Sequence, residues 1–293
     1  MQKITPFLWF NNQAEEAMNF YTSIFKDSRV ISVSRIKDTG PNLDQTVTTG
    51  TFQIGDQQFH VLNGGPHFSL TPSISFFVSC ITEDEIDNLW VKLSENGKAL
   101  MPLSKYPFSP KYGWIQDRFG ISWQLNFATD RQKIAPTLMF ANELNGKAEE
   151  AIHFYTSIFQ NSEILLVARY EANQGGTTGT IKHASFLLAG QVFKAMDTSH
   201  SQPFGFTPAT SFFVSCANQQ EVDYFWNKLI APGEKGQCGW LKDKYGVSWQ
   251  IIPTILAELM NDPDPAKSKR VIQALMKMQK IDIDGLKRAY EEV

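Results

Sequence analysis

The sequence predicts an α+β protein that arose by tandem duplication and ends in a short helical tail. One observation is an internal repeat: AEEAMNFYTSIF at 14–25 returns as AEEAIHFYTSIF at 148–159, and GISWQL at 120–125 returns as GVSWQI at 246–251. Another is that aromatic and β-branched segments, typical of strands, alternate with segments of helical periodicity. Together they predict two copies, each of which repeats one strand, one helix and three strands twice.

The first module begins with the apolar segment ITPFLWF, which predicts a strand that ends at the polar pair Asn11 and Asn12. A helix follows, because apolar residues recur on one face at helical spacing: Ala14, Ala17, Met18, Tyr21, Ile24 and Phe25. RVISVSRI, TVTTGTFQIG and QQFHVLNGG then predict three strands. One strand, one helix and three strands therefore make a βαβββ module.

The second module of the first copy has the same order. SISFFVSC at 73–80 predicts a strand, and Thr82 followed by Glu85 is a capping-box signature for the next helix. One face of that helix is apolar, through Ile86, Leu89, Trp90 and Leu93. Three further strands are predicted, the last of which is GISWQLNF.

The second copy repeats both modules, which gives predicted domains at 1–130 and 131–258 with a join near 130–134. From 259 to 293 the pattern changes to a predicted helical tail. Val271, Leu275 and Met278 mark a first helix, and a shorter helix begins at Asp284. We expect the tail to pack on the second domain.

Charge and composition limit the partners and the compartment. The net charge is −3, and no Lys/Arg run is longer than KSKR at 267–270, so the basic face that nucleic acids require is missing. There is no run of about 18 apolar residues, which argues against a membrane protein, and the first residues do not resemble a secretory signal. We therefore expect a cytoplasmic protein. Cys80 and Cys216 end apolar strands and are expected to be buried, and no CxxC pair suggests a redox couple.

The paired modules, with EEAMNFYTSIF early and DRFGISWQL late, resemble the vicinal oxygen chelate superfamily of glyoxalases, bleomycin-resistance proteins and extradiol dioxygenases. LNGGP at 62–66 and GQCGWLKDKYGVSWQI are similar to its PhnB-like branch, often labelled demethylubiquinone-methyltransferase-like. The resemblance implies that the two modules of each domain form a cupped mixed sheet with helices outside. It also implies that metal-dependent members take their ligands from the first and last strands of a module.

The metal-ligand positions implied by the resemblance carry weak donors in this sequence. Gln124 and Gln250 stand where metal-dependent relatives carry a Glu, and a neutral amide is a poor ligand for a transition metal. The first copy could at best assemble Thr5, His60 and Gln124. The weak candidates for metal ligands are therefore His60, His183, Gln124 and Gln250. No resident cofactor is predicted, and a divalent metal remains the alternative.

A small-molecule site in the cup is the more direct expectation. Strand alternation places Trp123 and Trp249 in the core and turns the neighbouring Gln side chains toward the cavity. The predicted ligand-binding residues combine aromatic surface with a few polar groups: Thr5, Phe7, Trp9, Phe59, Val61, Asn63, Ser73, Ser75, Phe77, Trp114, Ser122, Gln124 and Gln250. The alternative is that the aromatic members are ordinary core. Asp117 and Gly120 are predicted to form a tight structural turn.

These residues favour a protein of unknown substrate that binds a small molecule without a well-formed metal triad. The alternative is a divalent-metal-dependent lyase, isomerase or dioxygenase of the glyoxalase type. Methyl transfer is disfavoured, because the Gly-rich turn and the acidic strand end of a doubly wound nucleotide site are both missing. The duplication also predicts an intramolecular pseudo-dimer of the two domains, in a chain that is a monomer or a homodimer.

Overall fold

The structure is a computed structural model that describes residues 2–37, 46–128 and 134–292. The predicted join of the two copies, near 130–134, falls almost entirely outside these residues. Contacts divide the chain into two compact units, Pro6–Thr210 and the combination of Met1–Thr5 with Ser211–Val293. The domain limits 1–130, 131–258 and 259–293 describe the repeat in the sequence and remain a prediction.

Sixteen strands are found in the described residues, and they follow the predicted order. They are β1 (Ile4–Phe10), β2 (Ser28–Lys37), β3 (Thr46–Ile54), β4 (Gln57–Asn63), β5 (Ile74–Cys80), β6 (Lys98–Tyr106), β7 (Ser109–Gln116), β8 (Ser122–Phe127), β9 (Ile134–Phe140), β10 (Glu163–Arg169), β11 (Ile181–Leu188), β12 (Gln191–Asp197), β13 (Thr210–Cys216), β14 (Glu234–Lys235), β15 (Trp240–Lys242) and β16 (Ser248–Pro253).

Seven α-helices are found in the same part of the chain. They are α1 (Ala14–Ile24), α2 (Glu83–Ser94), α3 (Ala148–Ile158), α4 (Gln219–Leu229), α5 (Ile255–Met260), α6 (Pro265–Leu275) and α7 (Ile283–Glu291). Each of α1 to α4 is the helix of one βαβββ module, as predicted. No helix among the described residues is both long and apolar enough to cross a bilayer.

One eight-stranded sheet lies within the unit Pro6–Thr210, in the order β10-β11-β12-β9-β5-β8-β7-β6. We call it the inter-copy sheet, because β5 to β8 come from the first copy and β9 to β12 from the second. The two halves meet where β5 pairs antiparallel with β9, with Ser75 opposite Thr137 and Phe77 opposite Ala135. A single sheet is thus completed by modules of both copies, as an intramolecular pseudo-dimer requires.

The first module lies in the same unit, in the order β1-β4-β3-β2, with β1 parallel to β4. Its helix α1 and the helix α2 bury their apolar faces in one core that includes Tyr21, Phe52, Phe59, Phe76 and Trp123. Tyr21 and Trp123 are fully buried and their rings make an edge contact. This core covers one face of these strands and distinguishes it from the opposite face.

The unit of Met1–Thr5 and Ser211–Val293 contains the last module and the tail. Here β13 is parallel to β16, and Ser215 donates a backbone hydrogen bond to Lys3. The tail helices pack on this module through an apolar cluster that includes Ile252, Val271, Leu275 and Leu286. Packing of the tail on strands of the second copy is therefore as predicted.

The tail differs from the prediction at its first helix. An unpredicted helix, α5, precedes it, and α6 ends at Leu275 rather than continuing through Met278. The carbonyls of Met278 and Gln279 accept hydrogen bonds from the amides of Cys238 and Gly239. This segment is therefore a loop and not a helix.

Candidate functional site

The two residues of the Trp-Gln pair in each copy have different roles, and the Trp is a core residue. Trp123 is fully buried, and its indole donates to the carboxylate of Asp117 at 2.8 Å. Trp249 makes the same 2.8 Å bond to Asp243. Both Trp residues are therefore core, as predicted.

The carboxylate of Asp117 lies at the centre of a turn, and both of its oxygens are hydrogen-bonded. It accepts hydrogen bonds from the Tyr21 hydroxyl, the Trp123 indole and the amides of Phe119 and Ile121. Burial raises the pKa of Asp117, and these four bonds oppose the rise. Gly120 completes the turn with a φ of +91°, which favours glycine. The predicted structural role of Asp117 and Gly120 is confirmed.

Gln124 lies on the other face of β8, away from the helices. Its amide nitrogen donates to the Ser75 hydroxyl at 2.7 Å, and its amide oxygen accepts from the Tyr112 hydroxyl at 2.8 Å. Gln124 is 5% exposed, so this face is buried at its centre although α2 and α3 pack on the opposite side. A sheet that curls into a cup produces such burial.

A row of polar side chains crosses the cup face of the inter-copy sheet. The strand register aligns Ser185, Lys194, Thr137 and Ser75 across β11, β12, β9 and β5. Gln124 on β8 extends the row through its hydrogen bond to Ser75. Adjacent strands lie about 4.8 Å apart, so these side chains are neighbours. Ser75 and Gln124 come from the first copy and the other three members from the second, so neither copy alone could assemble the row.

Thr137 is the buried midpoint of this row. It is 2% exposed, and its hydroxyl has no hydrogen-bond partner among the described residues. A buried polar group left without a partner costs about 1 to 3 kcal/mol. Such a group is a natural contact for a bound ligand.

Lys194 supplies positive charge to the same face. Its ammonium lies 4.3 Å from the centroid of the Phe77 ring, a cation–π contact that reaches across β9. His183 is close by, and burial together with Lys194 lowers the pKa of His183 to about 4. His183 is therefore a neutral imidazole near pH 7.

Aromatic groups border the polar row on β7. Trp114 lies opposite Gln124 in the register, and its indole donates to the Ser122 hydroxyl at 2.7 Å. The inter-copy sheet thus brings together five of the predicted ligand-binding residues, namely Ser75, Phe77, Trp114, Ser122 and Gln124. Ser73 is buried at the start of β5, and its hydroxyl also has no partner in the described part of the chain.

The predicted set Thr5, His60 and Gln124 is not formed. His60 is on β4, opposite Phe7 on β1, whereas Gln124 is on β8 of the inter-copy sheet. Thr5 is buried at the start of β1. The prediction grouped residues by copy, but the sheet that contains Gln124 takes its other half from the second copy.

Phe59 and Val61 were assigned to the wrong face of β4. Both are buried in the helix-side core, where Phe59 stacks on Phe52. The intervening His60 points away from that core, because side chains alternate along a strand. The Thr51 hydroxyl is 2.9 Å from His60 Nδ1, and burial lowers the pKa of His60 to about 4.

Two other predicted residues have structural contacts in the LNGGP segment. Asn63 accepts a hydrogen bond from the Ala14 amide at the start of α1, and Trp9 donates its indole N–H to the Gly65 carbonyl. A Cβ at Gly64 would lie 2.1 Å from the Trp9 ring, so this position requires glycine. This segment therefore packs around the Trp9 ring and caps the first turn of α1.

In the other unit, Gln250 repeats part of the arrangement around Gln124. It is 4% exposed and donates to the Ser211 hydroxyl at 3.0 Å. Cys238 stands in this copy at the place of Tyr112, so the second hydrogen bond of the Gln124 type has no counterpart residue. The two copies therefore differ chemically at equivalent positions.

The residues of the inter-copy sheet do not fit a divalent metal. Both ends of the Gln124 amide are already hydrogen-bonded within the protein, and the Lys194 ammonium has no lone pair and repels a cation. Across residues 2–37, 46–128 and 134–292, no three His, Cys, Asp or Glu side chains group closely enough to hold a metal ion. The donor set instead suits a small polar molecule.

Three members of the site were missed or undervalued at the sequence level: Thr137, Lys194 and Tyr112. Their positions on the strands were readable, because each alternates with buried core residues. Tyr112 reaches Gln124 through the pairing of β7 with β8. The association of Thr137 and Lys194 with Gln124 depends on the pairing of β5 with β9, and no local sequence signal specifies that pairing.

A cavity lies on the helix side of the unit Pro6–Thr210, away from the cup face. It has a volume of about 400 Å³ and is lined by Ile24, Lys26, Thr82, Asp84, Glu85, Asn88 and Leu89. Thr82 and Glu85 are committed there to capping α2. This cavity offers no polar side chain of the kind found at Thr137.

Paired βαβββ modules, tandem copies and a cupped mixed sheet define a member of the vicinal oxygen chelate superfamily. More narrowly, the chain belongs to the family described as 3-demethylubiquinone-9 3-methyltransferase, whose family model matches residues 2–126 and 132–252. The two matched segments correspond to the two copies, and the predicted PhnB-like resemblance is confirmed.

The chain is also similar to solved structures. A PhnB protein from Bacillus cereus, described as a candidate 3-demethylubiquinone-9 3-methyltransferase, is 46% identical over 43% of this chain and 100% of its own, with a TM-score of 0.41. Glyoxalase I from Zea mays is 11% identical over 84% of this chain and 89% of its own, with a TM-score of 0.56. The maize enzyme shows a likeness of fold alone. No curated protein matches the chain.

Proposed function

We propose that the protein binds a small, partly aromatic molecule on the cup face of the inter-copy sheet. The observation that carries the proposal is the buried Thr137 hydroxyl, which has no partner among the described residues and lies between Ser75 and Lys194 in the polar row. A ligand that accepts or donates a hydrogen bond there would remove the cost of that buried group. Phe77 and Trp114 provide aromatic surface beside it.

A metal-dependent reaction of the glyoxalase type is a weaker proposal for this site. It would need oxygen or nitrogen ligands at the centre of the cup, where the chain instead presents an ammonium group and an amide already hydrogen-bonded at both its nitrogen and its oxygen. The family description mentions methyl transfer, but the sequence has no Gly-rich turn of the nucleotide-binding type. Binding without a metal is therefore the function we propose.

The experiment is a screen of small aromatic acids, amides and phenols against the full chain labelled with ¹⁵N, read by NMR from the indole N–H signals. A ligand in the cup is expected to shift the Trp114 indole signal, assigned with Trp114→Phe, and the Gln124 side-chain amide. The Trp123 indole signal is the matched control, because Trp123 lies on the opposite face of β8.

A second measurement addresses the metal. Salts of Zn²⁺, Ni²⁺, Mn²⁺ and Fe²⁺ are expected to leave the melting temperature unchanged, since a ligand stabilises only the state that binds it. A concentration-dependent rise that Gln124→Ala abolishes would favour the metalloenzyme instead. If no compound of the screen shifts the Trp114 and Gln124 signals, the proposed binding site is wrong.

A further inference from the structure

The polar row of the inter-copy sheet has an excess of hydrogen-bond donors on one side. Lys194 brings an ammonium group over the Phe77 ring, and Thr137, its register partner on β9, has a buried hydroxyl with no partner among the described residues. Ser185 is the register partner of Lys194 on β11. An ammonium and hydroxyl groups at adjacent positions on one face of a sheet are suited to an oxyanion.

The charges of the side chains around Lys194 also favour an anion. On β5, β7, β8, β9, β11 and β12, the positions that alternate onto the cup face carry no Asp or Glu. His183 lies near Lys194 as a neutral imidazole, held so by burial and by the ammonium. Lys194 therefore adds positive charge to the interior of this face, whereas the exposed Glu163 lies on the edge strand β10, opposite Leu187. An anion bound beside Lys194 would be stabilised by its ammonium.

The equivalent positions of the first module lack this polarity. There Phe7 pairs with His60 in the same register in which Thr137 pairs with Lys194. Thr51, the register partner of His60, hydrogen-bonds the imidazole. The donor pair is thus a property of the second copy and not of the repeat as such.

We infer that Lys194 and Thr137 form an oxyanion subsite that holds the carboxylate of a small aromatic acid, with its ring against Phe77 and Trp114. This inference rests on the proposed binding function and narrows its ligand class. Lys194 contributes a charge-assisted hydrogen bond, and Thr137 contributes its hydroxyl as a donor. The aromatic surface at Phe77 and Trp114 distinguishes such an acid from a free inorganic anion.

The test compares benzoate, benzamide and inorganic phosphate as probes, each titrated by NMR against the full chain. Benzoate is expected to bind about tenfold more tightly than benzamide, because only the carboxylate makes charge-assisted bonds. Lys194→Met and Thr137→Val should each remove most of that preference, and Lys194→Arg should keep it. Saturation with benzoate should also raise the pKa of His183, because the added negative charge favours the imidazolium.

Lys182→Met is the matched control: it removes one cation from β11 whose ammonium donates to the Gln174 side chain, outside the polar row, and it should leave the preference unchanged. Equal binding of benzoate and benzamide to folded wild-type protein would overturn the oxyanion subsite while leaving the cup as a binding site. Phosphate that binds as tightly as benzoate would overturn the assignment to an aromatic acid. Failure of every probe and every compound of the screen to shift the Trp114 signal would overturn the proposed function itself.

Discussion

At the scale of the residue, Asp117 illustrates how one buried side chain determines the geometry of the site next to it. Its carboxylate binds the Tyr21 hydroxyl of α1 and the Trp123 indole of β8. These bonds fix the face on which Trp123 lies. Because side chains alternate, they also fix Gln124 on the cup face.

Replacing Asp117 by Asn is therefore expected to destabilise the protein by about 2 to 3 kcal/mol. Both oxygens of Asp117 accept hydrogen bonds, and Asn would replace one of them with an NH2 group. That NH2 group would face a donor, so a buried donor would lose its acceptor. Urea denaturation measures the free energy of unfolding, and Glu163→Gln, which neutralises an exposed carboxylate, is the control. A change below about 0.5 kcal/mol, the usual size for a surface substitution, would contradict the role given to Asp117.

His183 gives a prediction about pH. Its pKa in the folded state is about 4, below the value of about 6.5 expected when unfolded. A histidine with a lowered folded pKa contributes stability that is complete above pH 6.5 and is lost as the pH falls toward 4. His183→Gln should therefore lose less stability than the wild type between pH 7 and pH 4.5, by about 2 kcal/mol.

The measurement is the free energy of unfolding of both proteins at the two pH values. His153→Gln, at an exposed position on α3, is the control and should follow the wild type. Equal acid sensitivity of His183→Gln and the wild type would show that His183 is not held neutral by its surroundings.

At the scale of the element, α2 shows how much the local sequence can specify. Thr82 accepts a hydrogen bond from the Glu85 amide, as the capping-box signature predicted. The Glu85 carboxylate binds the Ile81 amide, one residue before the cap. The Thr82 and Glu85 side chains thus accept hydrogen bonds from two backbone amides at the start of α2 that have no partner within the helix.

Thr82→Ala is expected to cost about 1 kcal/mol of stability, the usual value for a lost N-cap. Thr82→Ser keeps the hydroxyl and should cost much less, which makes it the matched variant. Thermal denaturation followed by circular dichroism compares the two. An equal loss in both variants would mean that the methyl group of Thr82, and not its hydrogen bond, is responsible.

Local patterns of this kind account for most of the fold and for part of the site. Strand alternation correctly placed Trp123 in the core and Gln124 on the cup face. The same rule, applied to β4, indicates that Phe59 and Val61 face the core, because they alternate with Gln58 and His60, and the stacking of Phe59 on Phe52 agrees. The prediction of Phe59 and Val61 as ligand-binding residues did not follow that alternation. Lys194 and Thr137 could not be joined to Gln124 from the sequence, since strand pairing across the two copies depends on tertiary packing.

At the scale of the whole molecule, the duplication has a structural consequence. The inter-copy sheet is continuous through the pairing of β5 with β9, so the cup face belongs to neither copy alone. Each copy supplies half of a sheet that the other completes.

A protease site introduced between Ala128 and Ile134 tests this consequence. The two pieces of the cut chain are expected to remain associated and to elute together in size-exclusion chromatography. Cleavage of one peptide bond leaves the hydrogen bonds between β5 and β9 intact. They should separate only in denaturant. Pieces that separate under native conditions would contradict a sheet shared by the two copies.

The central claim is that a small molecule binds on the cup face of the inter-copy sheet. Intermolecular nuclear Overhauser effects between the ring protons of benzoate and the protein test it most directly. We predict contacts to the Thr137 methyl group and the Phe77 ring and none to Leu138, which faces the helices. Contacts to Ile24 and Leu89 instead, in the cavity beside α2, would contradict the claim.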